Sequence, residues 1–121
     1  MMTENQELGV TGEDIARNYL LTNNYQILET NWRYGHLEVD IIAREGDVIV
    51  FCEVKTRKSN TFGNPEEAVT FMKQRNIIRA ANSYVSKKGM TNEVRFDIIS
   101  ILQTSQNTEL EHFKDAFSPR W

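Results

Sequence analysis

Two short acidic stretches flank one apolar ladder, Glu38-Val39-Asp40 before it and Glu53-Val54-Lys55 after it. Between them, Ile41 to Cys52 reads as two strands joined by a tight turn at Gly46-Asp47. Counting outward from a two-residue loop places Glu45 opposite Val48, Asp40 opposite Glu53 and Glu38 opposite Lys55. Residues two apart on a strand share a face, and cross-strand Cβ atoms lie about 4.5–5.5 Å apart. Three carboxylates and a lysine are therefore expected to converge. Clustered carboxylates repel each other unless a cation lies among them, and hard oxygen ligands suit Mg²⁺ or Mn²⁺. The residue types predict a metal site, against the plainer reading of a solvated cross-strand ion pair.

The pattern around these charges decides between the two. Ile42, Phe51 and Ile49 are expected to continue the charged face toward the turn, with Leu37, Val39, Ile41, Val48, Val50, Cys52 and Val54 opposite. Strands apolar on both faces belong to a sheet covered on both sides. Charge at the end of such a sheet is unfavourable without a role, so function outweighs chance.

The elements that position this hairpin follow from local signals. Thr11 reads as an N-cap with Asp14 three residues on, and Ile15, Ala16, Tyr19 and Leu20 follow at helical spacing until Asn23-Asn24. Glu13 lies in that first turn, where the helix dipole alone explains an acid. Tyr25 to Tyr34 reads as a strand, and residues 57–65 as a partly basic loop. Asn64 and Pro65 mark a second helical region with Glu66 and Glu67 in its first turn. This is one helix or a pair broken near Phe71, ending near Lys87 before Gly89. Its expected apolar stripe is Val69, Met72, Ile77, Ala80, Ala81 and Tyr84, with Lys73, Arg75 and Arg79 on other, solvated faces. Glu93 to Leu102 is a strong strand, and Glu109 to Phe113 a short edge strand. The order α-β-β-β-α-β-(β) predicts one α/β domain with a mixed sheet.

Composition narrows the class. The 121 residues suffice for one domain with a core, and 40% hydrophobic with 26% charged residues is ordinary for a soluble protein. The acidic N-terminus has no apolar signal region, and no apolar run approaches a membrane span, so a cytoplasmic protein is expected. Cys52 reads as core packing; with only His36 and His112 beside it, structural zinc is disfavoured. The net charge of −3 hides an asymmetry. Residues 1–53 hold ten acids and three bases, whereas residues 54–100 hold nine bases and four acids. An acidic pocket rimmed by Lys55, Arg57 and Lys58 suits a metal-dependent nuclease, although mixed-sign surfaces are common.

An ordered series of motifs then carries a resemblance over roughly residues 9–117. It runs through Gly12-Glu13, Asn31-Trp32-Arg33, Glu38-Val39-Asp40-Ile41-Ile42-Ala43 and Phe51-Cys52-Glu53-Val54-Lys55-Thr56-Arg57. It continues with Phe62-Gly63, Glu67-Ala68-Val69, Lys73 and Arg95-Phe96-Asp97. The chain resembles the YraN-like family (UPF0102), predicted endonucleases related to archaeal Holliday-junction resolvases in the PD-(D/E)xK nuclease superfamily. The resemblance implies a restriction-endonuclease-like fold, with Asp40 and Glu53 as metal-binding acids, Lys55 as the motif lysine and Glu13 as the acid of the first helix. Gly35 stands further from Glu38 than the family pattern places it and inherits no role.

On this basis the expected chemistry is phosphodiester hydrolysis of nucleic acid with Mg²⁺ or Mn²⁺, DNA being favoured over RNA and branched DNA, ends, single strands and RNA all left open as substrates. Asp40, Glu53 and the Val54 carbonyl would hold the metal, Glu38 and Glu13 would serve a second ion or bind through water, and Lys55 would orient the attacking water. Arg57, Lys58, Lys73, Arg75 and Arg79 are the expected phosphate contacts, and a symmetric homodimer would double the footprint. The alternatives are a nucleic-acid-binding module with a vestigial site and an assembly protein.

Overall fold

The computed structural model describes residues 11–58 and 69–119. Helix α1 spans Gly12–Thr22 and begins as the sequence predicts. Thr11 Oγ1 accepts from the Asp14 N–H at 3.1 Å, and the Asp14 carboxylate accepts from the Thr11 N–H at 3.2 Å. It ends where Asn23 caps it and Asn24 turns into the left-handed region at φ 68°. Strands β1 (Gln26–Tyr34), β2 (Leu37–Glu45) and β3 (Val48–Arg57) follow as a meander. The β2–β3 turn carries Gly46 at φ 58°, and Glu45 pairs with Val48 as the two-residue loop requires. Helix α2 (Phe71–Lys87) leads into β4 (Val94–Gln103) and β5 (Thr108–Phe117).

The five strands lie in sequence order in one sheet. Only β3 and β4 run parallel, which needs a crossover, and α2 lies within it. The helices cover opposite faces. Ala16 and Leu20 of α1 pack with Ile41, Ala43, Val50, Cys52, Ile99 and Ile101. Ile77, Ile78, Ala80, Ala81 and Tyr84 of α2 pack with Ile42, Ile49, Phe51, Phe96 and Ile98. Cys52 is buried, as expected. Among the described residues no helix is long and apolar enough to cross a membrane.

Four expectations are corrected. Leu37 and Val39 join the α2-side cluster with Ile42, while Ile41 and Ala43 lie on the α1 side. The alternation of β2 therefore slips at Asp40, between Val39 and Ile41. Met72, assigned to the apolar stripe, is 63% exposed, because helical spacing puts it off the row of Ile77, Ala80 and Tyr84 that faces the sheet. The proposed cap at Asn64 and Pro65 lies outside the described residues. Lys73, expected on a solvated face, lies one turn before Ile77 on the sheet-facing side. Finally, β5 extends to Phe117, which stacks on Phe96 with centroids 5.3 Å apart.

Candidate functional site

The β2–β3 ladder runs from Glu45–Val48 to Ile41–Cys52, and beyond that pair β3 continues alongside β4 only. The two strands part there and leave a fork. Asp40 stands at its mouth, and its Oδ2 accepts from the Val54 N–H at 2.8 Å. The side chain takes the place of the next ladder bond. The slip at Asp40 has a counterpart in β1. Asn31 adopts φ 51° inside a strand, a conformation that Asn tolerates better than most residues. The expected direct pairing of Asp40 with Glu53, and of Glu38 with Lys55, is thus replaced by a splayed arrangement around Val54.

Glu53 alternates with Cys52 and Val54, so it faces α2. It is only 3% exposed, and among the described residues no donor reaches its Oε2. Its Oε1 meets Lys73 Nζ at 2.6 Å and Lys55 Nζ at 3.9 Å. Burial first, then the charge of Asp40, push the Glu53 carboxyl up to about 7, against the pull of the lysines. Burial raises Asp40 as well, partly offset by the Val54 N–H and by Lys73. Burial and then the adjacent charge of Lys73 hold Lys55 below its ordinary value, despite Glu53 and Asp40. For Lys73, burial opposes charge, but the Glu53 contact outweighs it and raises the group.

Glu13 reaches this centre from α1. Burial, then the charge of Asp40, raises its carboxyl, while a hydrogen bond with Asn31 opposes the shift. Its position depends on Gly12, where an added Cβ would meet Thr56 Oγ1 at 1.8 Å. Glu38 pairs with Arg33 at 3.2 Å and still acts electrostatically on Asp40 and Glu13.

The structure thus gathers Glu13, Glu38, Asp40, Glu53 and Lys55, and adds Lys73. The sequence signal for Lys73 was its place on the stripe Ile77, Ala80 and Tyr84, one turn upstream. The remaining expected cations lie on the ends and outer faces of the same elements. Arg57 is half-buried and Lys58 exposed at the end of β3; Arg75 lies near the Phe71 ring, 6.0 Å from its centroid, and Arg79 is exposed.

Among the described residues no three acidic, His or Cys side chains form a ready-made metal cage. The residues nevertheless fit a hard divalent ion of the kind that keeps several waters and takes one or two carboxylates. Asp40 and Glu53 would supply these, and the Oε2 of Glu53 is a buried acceptor with no donor among the described residues. In a strand, the N–H and C=O of one residue point to the same side, so the Val54 carbonyl also faces the fork.

A second polar cluster occupies the α1 face of the sheet, around Asp97 of β4, which pairs with Cys52 of β3. Asp97, fully buried, accepts from Arg95 Nε at 2.9 Å and Nη2 at 2.8 Å, and from the Asp115 N–H at 3.0 Å. His112 Nε2 lies 2.7 Å from Asp97 Oδ2, and its Nδ1 lies 2.9 Å from the Tyr19 hydroxyl. Arg95 also reaches Glu45 at 2.8 Å and the Tyr25 hydroxyl at 2.9 Å. Burial lifts the Asp97 carboxyl, but the hydrogen bonds from His112, Arg95 and Asp115 outweigh it and hold the group below its ordinary value. This network ties α1, β2, β4 and β5 together.

The sequence model of the uncharacterised protein family UPF0102 matches residues 12–101, a span that contains every residue of the fork. The chain belongs to the UPF0102 family. A UPF0102 protein of Christiangramia forsetii is 45% identical over 116 residues, covering 96% of this chain and 98% of its own. UPF0102 proteins of Bacteroides thetaiotaomicron and Clostridium beijerinckii are each 42% identical, over 118 and 116 residues. They cover 98% and 93% of this chain, and 98% and 94% of their own lengths. The UPF0102 span takes in Arg95 and Asp97 but stops short of His112, so it includes only part of the second cluster.

Proposed function

We propose that this UPF0102 protein is a nucleic-acid phosphodiesterase, an endonuclease that works with Mg²⁺ or Mn²⁺. The observation that carries this reading is the Glu53 carboxylate: buried, with Oε2 unpartnered, beside Asp40 in a strand fork and facing two lysines. Asp40, Glu53 and the Val54 carbonyl hold the ion. When bound, the ion polarises the scissile phosphate and lowers the pKa of a water ligand. Lys55, whose ammonium is weakened by burial and by Lys73, orients the attacking water and offsets charge developing on the phosphoryl oxygens. Glu13 and Glu38 hold outer waters at the rim.

The test is a cleavage panel of linear duplex, single-stranded and branched DNA and of RNA, with Mg²⁺ and with Mn²⁺, beside Lys55→Ala. Cleavage of at least one substrate by the wild type, and its loss in the variant, is expected. Divalent binding is measured separately. Mn²⁺ at about 100 times its Kd should stabilise the fold by roughly 2.7 kcal/mol, and Asp40→Ala should abolish both that gain and the binding heat. Absence of both effects in the wild type would remove the metal from the reading. Binding of nucleic acid without cleavage would leave a vestigial site.

Arg57 and Lys58 follow the motif directly and are assigned to phosphates beside the scissile bond. Each such contact contributes about one unit to the salt slope and little sequence preference. The Arg57→Ala/Lys58→Ala variant should therefore bind all substrates more weakly by a similar factor, with a slope shallower by about two. An unchanged slope would place the nucleic-acid surface elsewhere.

A further inference from the structure

The motif acids and Lys55 account for the chemistry, but none of them explains the shortest contact at the fork. Lys73 comes from α2, outside the hairpin, and meets Glu53 Oε1 at 2.6 Å, closer than the 3.9 Å of Lys55. The Lys73 side chain is 42% exposed, so its ammonium spans from solvent to a carboxylate that is only 3% exposed. Its backbone is fixed at the helix start, where its own N–H is given to Thr70 Oγ1 at 3.2 Å. The same carboxylate leaves Oε2 without a donor, so the ammonium serves one oxygen of two. Two cations cannot share one carboxylate face at close range without mutual repulsion, and a divalent ion outweighs a single ammonium there. A lysine has four rotatable bonds and a compact charge, and can leave a carboxylate for a phosphate without moving its helix.

We propose that Lys73 is a stand-in for the divalent ion: it neutralises Glu53 until the ion binds, and then, displaced, contacts the phosphate held at the same fork. The proposal rests on the metal-dependent reading above. It makes Lys73 a competitor of the metal and, in the loaded site, a substrate-positioning residue.

Calorimetric titration with Mn²⁺ and with Ca²⁺ at pH 8 tests it, on the wild type, Lys73→Met and Lys73→Gln, with thermal melts to verify folding. Lys73→Met should bind the ion about tenfold tighter than the wild type, and Lys73→Gln, which keeps a neutral donor for Glu53, should lie between them. Affinity for a fluorescein-labelled DNA duplex should fall several-fold in Lys73→Met when Ca²⁺ is present and change little without it. A wild type that binds the ion weakly beside a Lys73→Met that binds it tightly would support the competition directly. Equal or weaker metal binding in folded variants, with a metal-binding wild type, would overturn the role of Lys73 and leave the metal site standing. Silence in all three proteins would overturn both.

Discussion

Asp97→Ala is expected to lose on the order of 3–5 kcal/mol of stability, the usual result of breaking a buried ion pair from one side. The carboxylate is fully buried and answers Arg95, His112 and the Asp115 N–H, and Arg95 is itself only 17% exposed. Removing Asp97 leaves that guanidinium, among the described residues, with Glu45 as its one acid. Against a typical total of 5–15 kcal/mol the loss is large, and the midpoint should fall by roughly 10–20 °C. The pH dependence has a definite sign. A carboxyl held below its ordinary 3.8 contributes stability above that pH, and the contribution is lost as pH falls through the folded value. Wild-type and variant melting curves should therefore converge in acid. Arg95→Met/Asp97→Leu should lose less than Asp97→Ala, because no uncompensated charge remains. A midpoint change under about 2 °C for Asp97→Ala would show that the cluster does not carry the fold.

Glu53→Gln should do the opposite and stabilise the protein in the absence of divalent metal. The folded fork raises this carboxyl from 4.5 to about 7, so the fold prefers its protonated form. Stability from that preference is full below about pH 4.5 and is lost as pH rises through about 7. The neutral amide avoids the loss. Its advantage should be slight near pH 5 and full above pH 7, on the order of 3 kcal/mol or somewhat less, since Lys73 gives up a partner. The variant should also lose the Mn²⁺-dependent rise in Tm and any cleavage. A Glu53→Gln protein less stable than the wild type at pH 8 would contradict a strained carboxylate. Stability sacrificed at a working site is the expected pattern for a functional residue.

The elements were legible where local chemistry and tertiary packing agree. Thr11 with Asp14, the Gly46-Asp47 turn and the apolar run of β4 each specify their element without help from distant residues. The fork was legible only in its residue types. Counting by twos assumes an unbroken pleat, whereas the chain slips at Asp40 and turns left-handed at Asn31, and an Asn in a strand does not announce which it will do. Lys73 was hidden for another reason. Basic residues on a helix usually face water, and only its alignment with Ile77, Ala80 and Tyr84 marks it as inward. The Arg95–Asp97 pair showed in the sequence only as part of the Arg95-Phe96-Asp97 motif. Its partners depend on a register shift in β5, where Asp115 at φ 54° turns its N–H to Asp97, and no pattern in 108–117 encodes that shift.

The contact between Gly12 and Thr56 has a mechanical consequence. An added Cβ would meet Thr56 Oγ1 at 1.8 Å, and turning the hydroxyl away still leaves Thr56 Cβ at 3.1 Å. Bare backbone therefore bears directly on a side chain of the strand that carries Glu53 and Lys55. Glu13, the next residue along α1, cannot approach that strand further. The fork has one fixed jaw, whose aperture is set by a missing methyl group. Any change in the width of the fork falls to the opposite side, to the four-carbon stem of Lys73.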